Sequence, residues 1–292
     1  MTSFLHRSFR YVLSRIWDLL NPRAIMWRHI KKRHPNKAMI TKLGKGLKVR
    51  IYTHDIIGKD IYVKGMFEKA ECMFVTGFLK PGMTFFDIGA NLGQYTLIGA
   101  ECVGGSGHVH SFEPSSRMFS ELNFNVSLNG LSNVCNLNNV AVSDKEGIAK
   151  LSKYEAGGEV FGSLGNQNWA ESGKSIVGYE EVKTITLDNY IHQHGIRKID
   201  LIKMDIEGAE LFALQGARQL LQHSHAPVIV LEMVARNTEG FGYKPAAICD
   251  YLKEFGYRLY CFNKRGRISG LLPQPSDTDI VADYSNVVAR KQ

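Results

Sequence analysis

The chain predicts an α/β fold, a Rossmann-like and mostly parallel sheet with helices on both faces, and three observations carry that reading. From Met83 onward, short and nearly continuous apolar segments alternate with helical ones, the pattern of strands buried on both sides. The first of these strands runs into a glycine-bearing turn, Asp87 to Gly93, that opens a helix. The second ends in a carboxylate, Glu113, 20 residues beyond Gly93. With 292 residues, 44% of them hydrophobic and 22% charged, the chain can bury a full core and suits one α/β domain with an appendage.

The appendage comes first. Leu5, Phe9, Val12, Leu13, Ile16 and Leu20 recur at helical spacing, with Arg7, Arg10 and Arg15 elsewhere on the wheel, so residues 3–20 read as a basic amphipathic helix ended by Asn21-Pro22. Residues 1–45 hold eleven Lys/Arg against one acid, Asp18, a net +10; subtraction from the total of +8 leaves about −2 for the rest. The basicity therefore belongs to the N-terminal segment and not to the body. Such a helix either adsorbs to an anionic membrane surface or a partner, or docks its apolar face on its own domain. Residues 46–82 form a lead-in: strands at Leu47–Tyr52 and Ile61–Val63, then a helix over 67–79 stopped by Pro81-Gly82.

The main domain then occupies residues 83–292. Strands are expected at Thr84–Ile88, Val109–Phe112, Val134–Val142, Ile199–Met204, Val228–Leu231 and Arg258–Phe262, with a last one at Ile280–Ala282 or Ser285–Ala289. Helices are expected at Tyr95–Cys102, Ser115–Leu128, Glu210–Gln222 and Pro245–Glu254. Residues 143–195 interrupt this order; their Gly/Ser content reads either as a β-extension with a lid over the site or as a surface insertion without a role.

Ligands of such sheets bind at the carboxyl ends of the strands, where the strand order switches. The turn Asp87-Ile88-Gly89-Ala90-Asn91-Leu92-Gly93 has the spacing G-x-x-x-G, with Asn91 and Gln94 where a dinucleotide loop would need glycine, which argues against a nicotinamide or flavin enzyme. Glu113, followed by Pro114, can accept both hydroxyl hydrogens of a ribose. A ribose without a diphosphate loop points to S-adenosyl-L-methionine, its amino-acid end near Asp87 and the loop backbone of Gly89, Asn91 and Gly93.

The segments Phe85-Phe86-Asp87-Ile88-Gly89-Ala90-Asn91-Leu92-Gly93, Phe112-Glu113-Pro114, Leu187-Asp188 and Ile202-Lys203-Met204-Asp205-Ile206-Glu207-Gly208-Ala209-Glu210 resemble the FkbM family of methyltransferases. The likeness runs from about Gly65 to Glu232 and includes Gly65-Met66-Phe67-Glu68 and Asn139-Val140-Ala141-Val142. It implies a class I methyltransferase fold with a seven-stranded sheet, S-adenosylmethionine as cofactor, Ala141 beside the adenine, and a hydroxyl of a saccharide, glycolipid or secondary metabolite as acceptor.

Independently of the family, the strand over Ile199–Met204 delivers Asp205 and Glu207 to the sheet's carboxyl edge, next to where the methyl donor should lie, so Asp205 is expected to touch the cofactor as well. Two carboxylates there offer a general base for a hydroxyl nucleophile, since repulsion or burial raises one pKa toward neutrality. Glu232, at the tip of the next strand, could join Asp205 in holding a divalent ion, but metal-independent base catalysis is preferred and no metal is expected. Glu210 reads as a helix N-terminal acid. His108 and His110 read as strand residues rather than catalysts. Five well-separated cysteines without metal spacing suit free thiols in a cytoplasmic protein with neither signal peptide nor membrane span. No nucleic acid is expected as a partner. The competing readings are an N- or carboxyl-methyltransferase and, in a different class, a non-catalytic adaptor recruited through its basic tail.

Overall fold

The computed structural model describes residues 20–155, 162–165, 175–263, 265–271 and 286–291, and the chain divides at Phe67/Glu68 into two compact units. Of the expected helix over residues 3–20, only Leu20, which is helical, lies among the described residues.

In the first unit, helix α1 spans Pro22–Arg33. Asn21-Pro22, read above as a helix stop, opens this helix: the Asn21 side chain accepts the N–H groups of Arg23 and Ala24, and proline fits the first turn, where no N–H is needed. Its buried residues are Ala24 and Trp27, the latter with its ring centroid 5.4 Å from that of Tyr62. Strands β1 (Ala38–Leu43) and β2 (Leu47–Tyr52) form an antiparallel hairpin, so residues 38–43 are strand and not part of a helical segment. The expected strand at Ile61–Val63 is instead the end of helix α2, Ile56–Lys64. Asp55 and a left-handed Gly65 bracket those nine residues as caps, and Gly58 and Ile61, one turn apart, are both buried. Helical spacing and caps override the β preference of the Ile-Tyr-Val run.

The second unit begins with helix α3, Lys69–Phe78, and is built on a sheet of eight strands. These are β3 (Thr84–Ile88), β4 (His108–Phe112), β5 (Cys135–Asn138), β9 (Leu201–Met204), β10 (Val228–Glu232), β11 (Tyr257–Phe262), β12 (Ile268–Leu271) and β13 (Asn286–Lys291). Their order is β12-β11-β13-β10-β9-β3-β4-β5. Pairings from β10 through β9, β3 and β4 to β5 are parallel, and β13 runs antiparallel between β10 and β11. The seven expected strands are thus extended by β12 at one edge. The chain leaves β3 toward β4 and β5 and returns to the opposite side at β9, so the switch point lies between the tips of β3 and β9.

The strand expected over Val134–Val142 divides into β5 and a short β6, Ala141–Val142, which joins β7 (Gly147–Tyr154) and β8 (Ile176–Ile185) in a separate three-stranded sheet. Glu210–Gln222 is likewise two helices, Glu210–Gln215 and Arg218–Gln222, broken where Gly216 passes so close to Ser143 that a Cβ would lie 2.1 Å from its carbonyl oxygen. Asp188 caps the second of them, accepting the N–H groups of Gln219 and Leu220 at 2.8 and 3.0 Å, which gives the Leu187-Asp188 motif a structural role. His110 is buried on β4 against Tyr190, and burial lowers its pKa to about 4, so it stays a neutral core residue.

Candidate active site

Strand β3 ends at the loop expected to meet the cofactor. Gly89 and Gly93 have φ of 81° and 98°, and Asn91 adopts φ 51°, a left-handed conformation that asparagine tolerates better than most residues. Gly89 also permits contact with the neighbouring strand tip, because a Cβ there would meet the Asp205 carbonyl oxygen at 1.9 Å. Asp87 is buried, and Thr96 donates its hydroxyl hydrogen to the carboxylate at 2.5 Å. At the tip of β4, Glu113 accepts the N–H of Asn91 at 2.8 Å and the N–H of Ser115 at 2.9 Å, tying the two strand tips together. Asn139 donates to the carbonyls of Glu113 and Pro114. Ala141 falls apart from this group, in an apolar cluster with Leu151 and Val182.

Burial raises the carboxyl groups of Asp87 to about 6, and of Glu113 and Glu210 to about 7, against partial relief from their hydrogen bonds. Each folded-state value lies above the ordinary one, so the folded chain holds the extra protons. That contribution to stability is complete below about pH 4 and is lost as the pH rises through about 6 to 7. In urea unfolding, the midpoint should therefore be higher near pH 5.5 than near pH 8, with Glu113→Gln reducing the difference. A midpoint that climbs over the same interval would contradict it.

The tips of β9 and β10 hold the second group. One carboxylate oxygen from each of Asp205, Glu207 and Glu232 lies within 4.8 Å of the others. Asn237 donates to both Glu207 and Glu232, at 2.8 Å each. Glu207 has φ 53°, costly for a side chain of this size, and the turn is held by Glu210, whose carboxylate accepts the N–H groups of Ile206 and Gly208. Glu210 thus has the structural role the sequence suggested. Burial, then the neighbouring Asp205, raises both Glu207 and Glu232 well above the usual carboxylate range.

Sequence reasoning missed the cation at the centre. Lys203 is 1% exposed, with Nζ 3.2 Å from Asp205 and 5.1 Å from the centre of the Tyr95 ring. Burial opposes its charge, but Asp205, Glu68 and Glu232 outweigh that and raise its pKa. The available signal was a lysine inside an otherwise apolar strand, a residue type that is rarely buried unless paired. Glu68 accepts hydrogen bonds from Tyr95 at 2.8 Å and from the Asn286 side chain at 2.7 Å. Asn286 faces Glu232 across β13 and β10, and its buried Oδ1 has no partner among the described residues. Nothing local in the sequence marks Asn237 or Asn286.

A family model described as "Methyltransferase FkbM domain" matches residues 87–259, more than half of the chain and the whole of both groups apart from Glu68 and Asn286. The chain belongs to the FkbM methyltransferase family. It is 28% identical over 204 residues, 60% of its length and 77% of the relative's, to the 31-O-demethyl-FK506 methyltransferase FkbM of Streptomyces tacrolimicus. Among solved structures, it is similar to an O-methyltransferase from Thermotoga maritima, at 14% identity with a TM-score of 0.42 over 87% of this chain and 77% of that one. It is also similar to an O-methyltransferase from Bacillus cereus in complex with SAH, at 11% identity and the same TM-score of 0.42 over 76% and 80%.

As an FkbM-family enzyme, the protein is an S-adenosylmethionine-dependent methyltransferase, and its residues suit that cofactor. Each Glu113 oxygen spends one lone pair on a backbone N–H and keeps another, which would suit a ribose hydroxyl. Around Lys203 stand the carboxyl groups of Glu68, Asp205, Glu207 and Glu232; Asp205 pairs with the ammonium, and burial holds the three glutamates above the usual carboxylate range.

Proposed function

We propose that this methyltransferase acts on a hydroxyl oxygen of a small acceptor, a saccharide, glycolipid or secondary metabolite, with Glu207 as the base and Asp205 as the group that orients the acceptor. The observation that carries this reading is the convergence of Asp205, Glu207 and Glu232 at the tips of β9 and β10, beside the switch point, where burial raises the proton affinity of Glu207 and Glu232. S-adenosylmethionine supplies an electrophilic methyl group on a sulfonium that leaves without protonation. The chain's tasks are then to position the acceptor and take its proton. Asp205, ion-paired to Lys203, is fit to accept a hydrogen bond from the hydroxyl. Glu207, whose carboxylate binds protons unusually tightly, is fit to remove the hydrogen as the oxygen attacks the methyl. The likeness to the Streptomyces 31-O-demethyl-FK506 methyltransferase favours oxygen over nitrogen or carboxylate. Asp87, Gly89, Asn91, Gly93, Glu113 and Pro114 are proposed to line the cofactor site; Ala141 is proposed only as support behind it. None of the described helices is long and apolar enough to cross a membrane, and the described cysteines are free, in keeping with a cytoplasmic setting.

The spacing of the three carboxylates favours a second reading, a divalent ion that polarises the acceptor oxygen. Lys203 argues against it, because a buried ammonium beside Asp205 already supplies cationic charge there. Titration with magnesium or manganese, read as heat and thermal shift, separates the two.

The cofactor site is tested by calorimetry with S-adenosylhomocysteine. Losing the ribose contact in Glu113→Ala should cost about 1.5–3 kcal/mol, or roughly 10- to 100-fold in affinity. Unchanged affinity in a folded variant would remove Glu113 from the site.

A further inference from the structure

The first unit carries a surface that the methyl-transfer chemistry does not use. From Leu20 to His54 the chain has ten Lys/Arg and no acid. On α1, with Ala24 and Trp27 buried, the opposite side presents Ile25, Met26, His29, Lys32 and Arg33; Ile25 is 49% and Met26 51% exposed. The outer face of the hairpin repeats the mixture. Ile40, 53% exposed, pairs with Arg50; Lys42 stands directly opposite Lys48; and Lys45 is exposed at the turn. Like charges placed opposite each other on a hairpin oppose folding.

We propose that the exposed basic and aliphatic side chains of α1 and of the β1–β2 hairpin dock this unit on an anionic phospholipid membrane. Cations alone would suit any polyanion. Exposed aliphatic side chains among them suit the boundary between headgroups and acyl chains, which Ile25, Met26 and Ile40 can enter while the lysines and arginines meet phosphate. A single-stranded nucleic acid would call for exposed aromatic stacking surfaces, whereas here Trp27 is buried and Tyr62 is covered by Arg23 at 5.3 Å. The surface lies outside residues 3–20, and it is independent of the acceptor and of the assignment of the base.

The test is co-sedimentation of the full-length chain with phosphatidylglycerol–phosphatidylcholine vesicles and with pure phosphatidylcholine vesicles, at low and high salt. Binding is expected with the anionic vesicles only. Lys32→Glu/Arg33→Glu and Lys42→Glu/Lys48→Glu should each weaken the partition by about tenfold or more. Ile25→Ser/Met26→Ser should bind at low salt but lose the fraction the parent retains at high salt. Thermal midpoints and S-adenosylhomocysteine affinity equal to the parent's establish that the variants are folded. Equal binding to both vesicle types, variants that bind like the parent, or tighter binding to a single-stranded RNA oligonucleotide than to anionic vesicles would each overturn the proposal.

Discussion

Replacing Lys203 with methionine should cost the fold about 3–5 kcal/mol near pH 8, the loss expected when one partner of a buried ion pair is removed. Methionine matches the length and apolar stem of lysine, so packing against the Tyr95 ring is largely kept and the change isolates the charge. Without the ammonium, Asp205 loses its ion-pair partner beside Glu68 and Glu232, whose ionisation burial already disfavours. Glu68 and Glu232 have folded-state values above the ordinary carboxylate value, and the variant should raise them further. Stability carried by such groups is present at low pH and lost as the pH rises, so the variant's deficit should shrink toward pH 5. Urea unfolding of parent and variant at about pH 5.5 and about pH 8 measures this. A variant as stable as the parent at the higher pH would show that Lys203 does not balance these charges. Adding Asp205→Asn to Lys203→Met should recover part of the loss, since the double replacement removes both ends of the pair.

Glu207→Gln should lower the rate of methyl transfer by about 10²- to 10⁴-fold with any acceptor the parent methylates, the usual contribution of a positioned base. Glutamine still offers an oxygen to Asn237 and keeps the turn, so cofactor affinity should stay within a few-fold of the parent. The pH profile gives the sharper distinction. The parent's kcat should rise with pH along a limb displaced above the usual carboxylate range, because Glu207 must lose a proton before it can take one. The variant should lack that limb. Stability should not fall at neutral pH, because the substitution removes a carboxyl group that burial and Asp205 make costly to ionise. A variant that transfers methyl groups at the parent's rate would pass the base role to Asp205 or Glu232.

Much of this molecule was legible before its coordinates. Strands β3, β9 and β10 are short, mostly apolar runs buried on both faces, and such runs leave little choice of secondary structure once glycine turns and helices flank them. The loop Asp87–Gly93 and Glu113 were legible because their chemistry is local: left-handed glycines, and a carboxylate at a fixed distance after a strand. Asp205, Glu207 and Glu232 were legible one strand tip at a time.

The errors lie where a distant part of the chain decided the outcome. Ile61-Tyr62-Val63 has the composition of a strand but ends a helix, because Asp55 and Gly65 cap it and burial selects Gly58 and Ile61. Glu210–Gln222 has the periodicity of one helix but is broken at Gly216 by the close approach of Ser143. Ala141 looked like the continuation of a core strand and became part of a second sheet through its pairing with Thr184. Lys203 looked like an interruption in a strand until Asp205, Glu68 and Glu232 were placed around it.

The sequence by itself determined the alternation of strands and helices, the glycine-bearing loop after β3 and the identity of the acids, because these depend on backbone preference and burial within a few residues. Only the tertiary structure decided which acids share a cation and which proton affinities rise. Charge interaction and desolvation depend on distances between residues such as Glu68, Lys203, Glu232 and Asn286, which only the folded unit brings together.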